Sequence, residues 1–190
     1  MNRSAGKLII VSGPSGSGKS TVVQKLLERC SLPLFLSVSA TTRPPRTGEQ
    51  NGVHYHFLSP DDFENRRQNG DFLECKEVFG RGYWYGTLRS TVSTGLNAGK
   101  WVILEIDVQG AMAVLEREPD VITVFVHPGS MEELERRLRN RATETEEVVR
   151  RRLDVAAEEM SYRHLYRHEL INIDVDQTVE SFCGLLKQYQ

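Results

Sequence analysis

Apolar and polar positions change period many times along the chain, and each change marks an element. Leu8-Ile9-Ile10-Val11 is a continuous apolar run of strand length, which predicts a short buried strand. Residues 21–29 place apolar side chains at helical spacing and predict a helix. Cys30-Ser31-Leu32-Pro33 breaks it, and Leu34-Phe35-Leu36-Ser37-Val38 predicts the second strand. Residues 39–49 form a polar, proline-punctuated loop, and residues 55–58 return as a short strand. Ser59-Pro60-Asp61-Asp62-Phe63 starts a helix, with Ser59 as N-cap and Pro60 at the first helical position; the stop falls near Asn69-Gly70. Residues 72–78 alternate, Gly80-Arg81-Gly82 turns the chain, and residues 83–86 come back, so the 55–87 stretch reads as antiparallel and hairpin-like.

The second half repeats the alternation. Helices are predicted over 89–98, 109–118, 131–140, 143–162 and 176–190, with strands over 101–107, 121–126 and 170–173. Ser130 caps the 131–140 helix, and Glu133 completes a capping box. Apolar strands alternating with helices imply an α/β fold with a mainly parallel sheet covered on both faces. No repeat or linker interrupts the 190 residues, which read as one domain.

Charge and composition narrow the function. The formal net charge of -2 does not attract nucleic acid, so an anionic ligand must be held by local basic clusters. No apolar run reaches the length of a membrane span and no secretory signal opens the chain, so a cytoplasmic location is expected. The three cysteines, Cys30, Cys75 and Cys183, are odd in number and far apart, and are expected to be reduced thiols. No zinc spacing occurs. His54 and His56 lack acidic or thiol companions and read as ordinary strand residues.

The most specific motif joins the first strand to the first helix: Gly13-Pro14-Ser15-Gly16-Ser17-Gly18-Lys19-Ser20, followed by Thr21. Strand, G-x-x-x-x-G-K-S and helix form the setting of a phosphate-binding loop. Glycines let backbone N–H groups turn toward an anion, and the helix points its positive end at the same place. Lys19 is expected to reach the terminal phosphates of a nucleoside triphosphate, and Ser20 to offer its hydroxyl to Mg²⁺.

The 39–87 stretch holds a second set. Arg43 and Arg46 stand three apart in a loop stiffened by Pro44 and Pro45, where guanidinium forks match phosphate oxygens. Tyr55 and Tyr85 add phenolic donors. Glu74, among apolar neighbours, has the chemistry to accept from N1–H and the N2 amino group of guanine, a donor pair adenine lacks. Taken singly, each also reads as a solvated loop or strand-edge charge.

Together, residues 37–49, Gly52 and Tyr55-His56-Phe57 resemble the GMP-binding signature of guanylate kinases. The resemblance extends over nearly the whole chain. It includes the phosphate loop, Phe72-Leu73-Glu74, Tyr85-Gly86-Thr87, residues 104–110, and the run from Arg137 to Glu146. It implies a P-loop kinase fold with a small mixed or antiparallel GMP-binding subdomain over 39–87, a helical lid over 138–150, and a core of 1–38, 88–137 and 151–190. It implies phosphoryl transfer from ATP to GMP or dGMP, with Mg²⁺, in purine nucleotide metabolism. Arg43, Arg46, Tyr55 and Tyr85 would hold the GMP phosphate. Ser39, Glu74 and Thr87 would read guanine, with Asp107 nearby. Glu105 and Asp107 end the strand where acids orient Mg²⁺-bound water, Asp107 acting on the metal through water. Arg137, Arg141 and Arg152 match the lid arginines that close over ATP, and Asn172 a position near its adenine ring.

The family usually has G-N-Y-Y-G where this chain has Gly80-Arg81-Gly82-Tyr83-Trp84-Tyr85-Gly86, two residues longer. Tyr85 is aligned to the functional tyrosine because Gly86-Thr87 follows, and Tyr83 is the competing choice. A kinase of ribose bisphosphate would keep the loop and lid without needing Ser39 or Glu74. A non-catalytic guanylate-kinase-like binding module typically lacks the lysine and lid arginines present here, and a GTPase would need an N-K-x-D motif that does not occur. The expected partners are small nucleotides, with no nucleic acid or membrane; the sequence leaves monomer or homo-oligomer open.

Overall fold

Every apolar run predicted as a core strand forms one. The computed structural model describes residues 6–77, 82–140 and 145–190. The elements are β1 (Lys7–Ser12), α1 (Lys19–Arg29), β2 (Leu34–Leu36), β3 (Ala40–Thr41), β4 (His56–Phe57), α2 (Pro60–Gln68), β5 (Phe72–Glu77), β6 (Trp84–Leu88) and α3 (Arg89–Asn97). They continue with β7 (Trp101–Glu105), α4 (Val108–Leu115), β8 (Ile122–His127), α5 (Met131–Arg139), α6 (Glu146–Ser161), β9 (His168–Ile171) and α7 (Val175–Lys187). The larger sheet runs β2-β7-β1-β8-β9, and β2/β7, β1/β8 and β8/β9 all pair in parallel. Strands covered on both faces need no polar side, which is why Ile9, Ile10 and Val11 and all six residues of β8 are buried.

The chain divides into two compact units: Met1–Leu8, Pro33–Leu104 and Met112–Val121 form one, and Ile9–Leu32, Glu105–Ala111 and Ile122–Gln190 the other. The first unit contains the 39–87 segment. It holds the second sheet, ordered β4-β3-β6-β5. β5/β6 is the antiparallel hairpin the alternation predicted, and β3/β6 is antiparallel too. β3 and β4, however, pair in parallel, and β3 itself lies where a loop was expected. Two residues carry too little periodicity to mark a strand; β3 exists because its neighbour β6 supplies the ladder. Ser59 caps α2 by accepting from the Asp62 N–H at 3.1 Å. Phe63 on that helix stacks on Phe72 with ring centroids 4.4 Å apart, in a cluster with Ala40 and Leu88.

The second unit packs α1 against α7. Val22, Val23 and Leu26 are buried on one helix, Val179, Phe182 and Leu186 on the other. This packing overturns the expectation of reduced thiols. Cys30, which ends α1, is bonded to Cys183 on α7, with Cα atoms 5.7 Å apart and 153 residues between them in sequence. Cys75 is free. Lys25 and Arg29 reinforce the same pair of helices by meeting Asp176 at 2.7 and 2.8 Å.

The capping box at α5 is only half formed. Ser130 accepts from the Glu133 N–H at 3.2 Å, but the Glu133 carboxylate turns to Arg136 and Arg137 instead of reaching back. Guanidinium donors three and four residues ahead give charge-assisted bonds that a neutral N-cap N–H does not match. Residues 143 and 144, expected in the next helix, lie outside the described residues, and α6 begins after Thr145.

Candidate functional site

In the second unit the chain leaves β1 and turns at Gly13, whose φ is 137°. A Cβ there would sit 2.0 Å from the Val126 carbonyl oxygen. Gly18, at φ 88°, would bring a Cβ to 2.5 Å from Asn172 Nδ2. Both glycines are therefore demanded by backbone conformation and by close approach together. α1 starts at Lys19, so its unpaired N–H groups face the loop that precedes it.

Side chains of several elements converge on this loop. Lys19 Nζ donates to the carbonyls of Gly13 at 2.6 Å and Pro14 at 3.0 Å. Burial lowers the Lys19 pKa, opposed by the nearby charges of Glu105, Glu159 and Asp107. Ser20 Oγ donates to Glu105 Oε1 at 2.5 Å, and Asp107 Oδ1 accepts from the Gly110 N–H at 2.9 Å. Arg152 Nη2 donates to Ser15 Oγ at 2.8 Å. Arg137 donates to the Asn172 carbonyl at 2.7 Å and the Ser17 carbonyl at 3.3 Å, while Glu133 holds its Nε at 2.7 Å. Arg141 lies outside the described residues.

Asn172 is buried, and its amide is committed within the protein. Nδ2 donates to the Ser17 carbonyl at 2.8 Å and Oδ1 accepts from Thr178 at 3.2 Å. It lines a cavity of about 310 Å³ as a wall, together with Gly16, Gly18, Thr21, Arg137 and Ile173. Among the described residues, no group of three or more His, Cys, Asp or Glu is arranged to hold a metal by itself.

The first unit gathers the other predicted set. Thr41 Oγ1 donates to the Trp84 carbonyl at 2.9 Å, and the Trp84 N–H donates to Thr42 Oγ1 at 2.9 Å. These bonds fix the loop start on β6, so that Arg43 Nε donates to Tyr85 Oη at 3.2 Å. The arginine thus meets Tyr85, the aligned choice. Tyr55 lies edge-on to Tyr85 with centroids 5.8 Å apart, and the Arg43 guanidinium lies 5.5 Å from the Tyr55 ring. Arg46 is exposed. Ser39 is half-buried, its carbonyl accepting from the His56 N–H at 2.9 Å. Glu74 stands opposite Thr87 across β5/β6 and accepts from its hydroxyl at 2.6 Å. Asp107 lies in the unit that carries the phosphate loop.

Glu105, which the resemblance already places with Asp107 at the strand end, takes the Ser20 hydroxyl. A second carboxylate, Glu49, was given no role by the sequence. Glu49 pairs with Arg43 at 2.9 Å and accepts from the Arg46 N–H at 2.7 Å, which holds its carboxyl at about 2. The Arg43 hydrogen bond is the main cause, with the Arg46 N–H adding to it against burial. The spacing Arg43, Arg46, Glu49 within the 37–49 run was the available signal.

Residues 5–189 match the family described as Guanylate kinase. A guanylate kinase of Rhodopirellula baltica is 62% identical over 183 residues, covering 95% of this chain and 87% of its own. One of Fusobacterium nucleatum is 44% identical over 184 residues, covering 97% of each. The crystal structure of guanylate kinase from Anaplasma phagocytophilum superposes with a TM-score of 0.79 at 34% identity, over 98% of this chain and 87% of that one.

Proposed function

The chain belongs to the guanylate kinase family, and we propose that ATP binds at the phosphate loop, GMP or dGMP binds at the Arg43 cluster, and the terminal phosphoryl group of ATP is transferred to the GMP phosphate, giving ADP and GDP. One observation carries the acceptor assignment. Tyr85 and Thr87 are two residues apart on β6 and so share a face, and Glu74 stands directly opposite Thr87. A phosphate-binding pair and a base-reading pair are thus spaced about 7 Å along one strand, the length scale of a mononucleotide. A ribose bisphosphate acceptor would have no use for the Glu74–Thr87 pair.

The GMP phosphate oxygen is already anionic near neutral pH, so no residue is assigned as general base. The difficulty is bringing two anions into line. Lys19, Arg137 and Arg152, with Arg141, offset the charge of ATP, and Arg43 and Arg46 that of GMP, while Tyr55 and Tyr85 orient the acceptor. Ser39, Glu74 and Thr87 select guanine. Gly13 to Thr21 cradle the donor phosphates, and the cavity lined by Asn172 takes the rest of the donor nucleotide. Mg²⁺ fits the Ser20 hydroxyl and Glu105 carboxylate, a hard-oxygen pair that leaves room for phosphate and water ligands, with Asp107 acting through water. When bound, it supplies charge neutralisation at the phosphates.

The 39–87 segment and the 138–150 lid close when both nucleotides bind, excluding water that would hydrolyse ATP. Spectroscopic distances between the two segments that are the same with and without both nucleotides would count against this closure. The substrates are highly charged, which supports a cytoplasmic role in recycling GMP. Chromatography of the nucleotides formed from ATP and GMP tests the reading: it predicts ADP and GDP in equal amounts, and ADP with phosphate but no GDP would contradict it.

A further inference from the structure

The β5/β6 hairpin carries an extra residue on β5. Phe72 pairs with Leu88 and Glu74 with Thr87, so two steps along β5 match one step along β6, and Leu73 is the surplus residue of a β-bulge. Its effect shows in which side chains share a face. In a regular strand Phe72 and Glu74 would point the same way, and Phe72 and Cys75 opposite ways. Here Phe72 and Cys75 lie together, packed with Phe63, Leu88 and Trp84. A Cβ on Gly86, opposite Cys75, would come within 2.8 Å of both side chains. Glu74 is turned to the other face, which it shares with Thr87 and Tyr85. Without the bulge its carboxylate would enter the apolar cluster.

A bulge interrupts the ladder, so its backbone groups need other partners to hold it in place. Arg117 supplies one: its Nη1 donates to the Leu73 carbonyl at 3.3 Å, across 44 residues of sequence. Arg117 stands in the turn after α4, where its own N–H donates to the carbonyl of the buried Val114 at 3.0 Å. The guanidinium therefore projects from an anchored backbone. The Leu73 carbonyl and the Glu74 N–H belong to one peptide plane. A bond to that carbonyl thus sets the plane from which the Glu74 side chain departs.

We propose that Arg117 is a positioning residue for guanine selection: it pins the Leu73 bulge that turns Glu74 to the face of Thr87. This rests on the proposed reading of Glu74 and Thr87 as the base readers. Arg117→Met, which keeps the length of the side chain and removes its donors, tests it with GMP and IMP as acceptors. IMP keeps N1–H and lacks the N2 amino group, so the GMP-to-IMP ratio of kcat/KM reports how well a carboxylate meets the donor pair. That ratio falls by about three- to tenfold, as partial misplacement of one binding group predicts, while KM for ATP stays within about twofold. Arg117→Lys, which retains a donor, recovers part of the ratio. In a Glu74→Ala background Arg117→Met has no further effect on the ratio, because Arg117 acts through Glu74.

An unchanged ratio in Arg117→Met would overturn the proposal. So would an equal loss in the parent and Glu74→Ala backgrounds, which is what a merely structural role gives. If Glu74→Ala lowers the ratio and Arg117→Met does not, only the positioning role fails. If the unaltered protein does not phosphorylate GMP, or Glu74→Ala leaves the ratio as it was, the reading of the base site fails and takes this inference with it.

Discussion

Glu74→Gln probes base selection with the least disturbance to the fold. Glu74 accepts from Thr87 Oγ1 at 2.6 Å, and a glutamine oxygen still accepts that bond, so the β5/β6 pairing keeps its cross-strand contact. The change falls on the ligand. A carboxylate accepts from both N1–H and the N2 amino group of guanine, whereas glutamine accepts one and presents a donor to the other. Losing one hydrogen bond to a charged group costs about 2–3 kcal/mol, or about 30- to 160-fold in kcat/KM for GMP. AMP, with an acceptor at N1, loses nothing by the exchange, so the GMP-to-AMP preference shrinks by a similar factor. Steady-state ADP release with GMP and AMP, each titrated at saturating ATP, measures both. An equal fall for the two acceptors, or a raised KM for ATP with GMP kinetics intact, would refute the assignment of Glu74 to the base.

Other perturbations separate the remaining parts. Lys19→Met removes the ammonium that meets the Gly13 and Pro14 carbonyls; kcat should fall by about 10²–10³-fold, and a variant within tenfold of the parent would mean Lys19 does not act on the transferring group. Glu49 has its carboxyl held at about 2 against an ordinary 4.5, so its ion pair stabilises the fold fully above the ordinary value and is lost as pH falls through the lower one. Urea midpoints taken across that acid window should therefore drop more steeply for the parent than for Glu49→Gln; parallel curves would contradict it. Reducing the Cys30–Cys183 bond should lower stability by about 2–4 kcal/mol in thermal or urea unfolding, with two thiols released on titration; an unchanged midpoint would show that α1/α7 packing and the Asp176 ion pairs suffice alone.

How far the sequence is legible depends on the range of the interaction. The phosphate loop and the Ser59 cap are local, since the residues that determine them are neighbours in the chain. The hairpin of β5 and β6 is nearly so. The Cys30–Cys183 bond was not legible, because 153 residues separate the two thiols and only the packing of α1 on α7 joins them. The parallel pairing of β3 and β4 is hidden for the same reason: each strand is two residues long, too short for its pattern to choose a partner. At the candidate site, residue types marked Arg43, Arg46 and Glu74 as ligands, but a carboxylate beside two arginines in one loop also reads as solvated charge. Burial and the two separate bonds of Glu49 distinguish it. The bond from the Asn172 amide to the Ser17 carbonyl is hidden likewise, because it joins residues far apart in the chain.

The central claim is that this chain transfers phosphate from ATP to GMP and discriminates by base. Coupled ADP release with ATP and Mg²⁺, offered GMP, dGMP, AMP, UMP or ribose bisphosphate in turn, tests it directly. The account predicts turnover with GMP and dGMP, with far slower turnover on AMP or UMP. Turnover with ribose bisphosphate alone would contradict it.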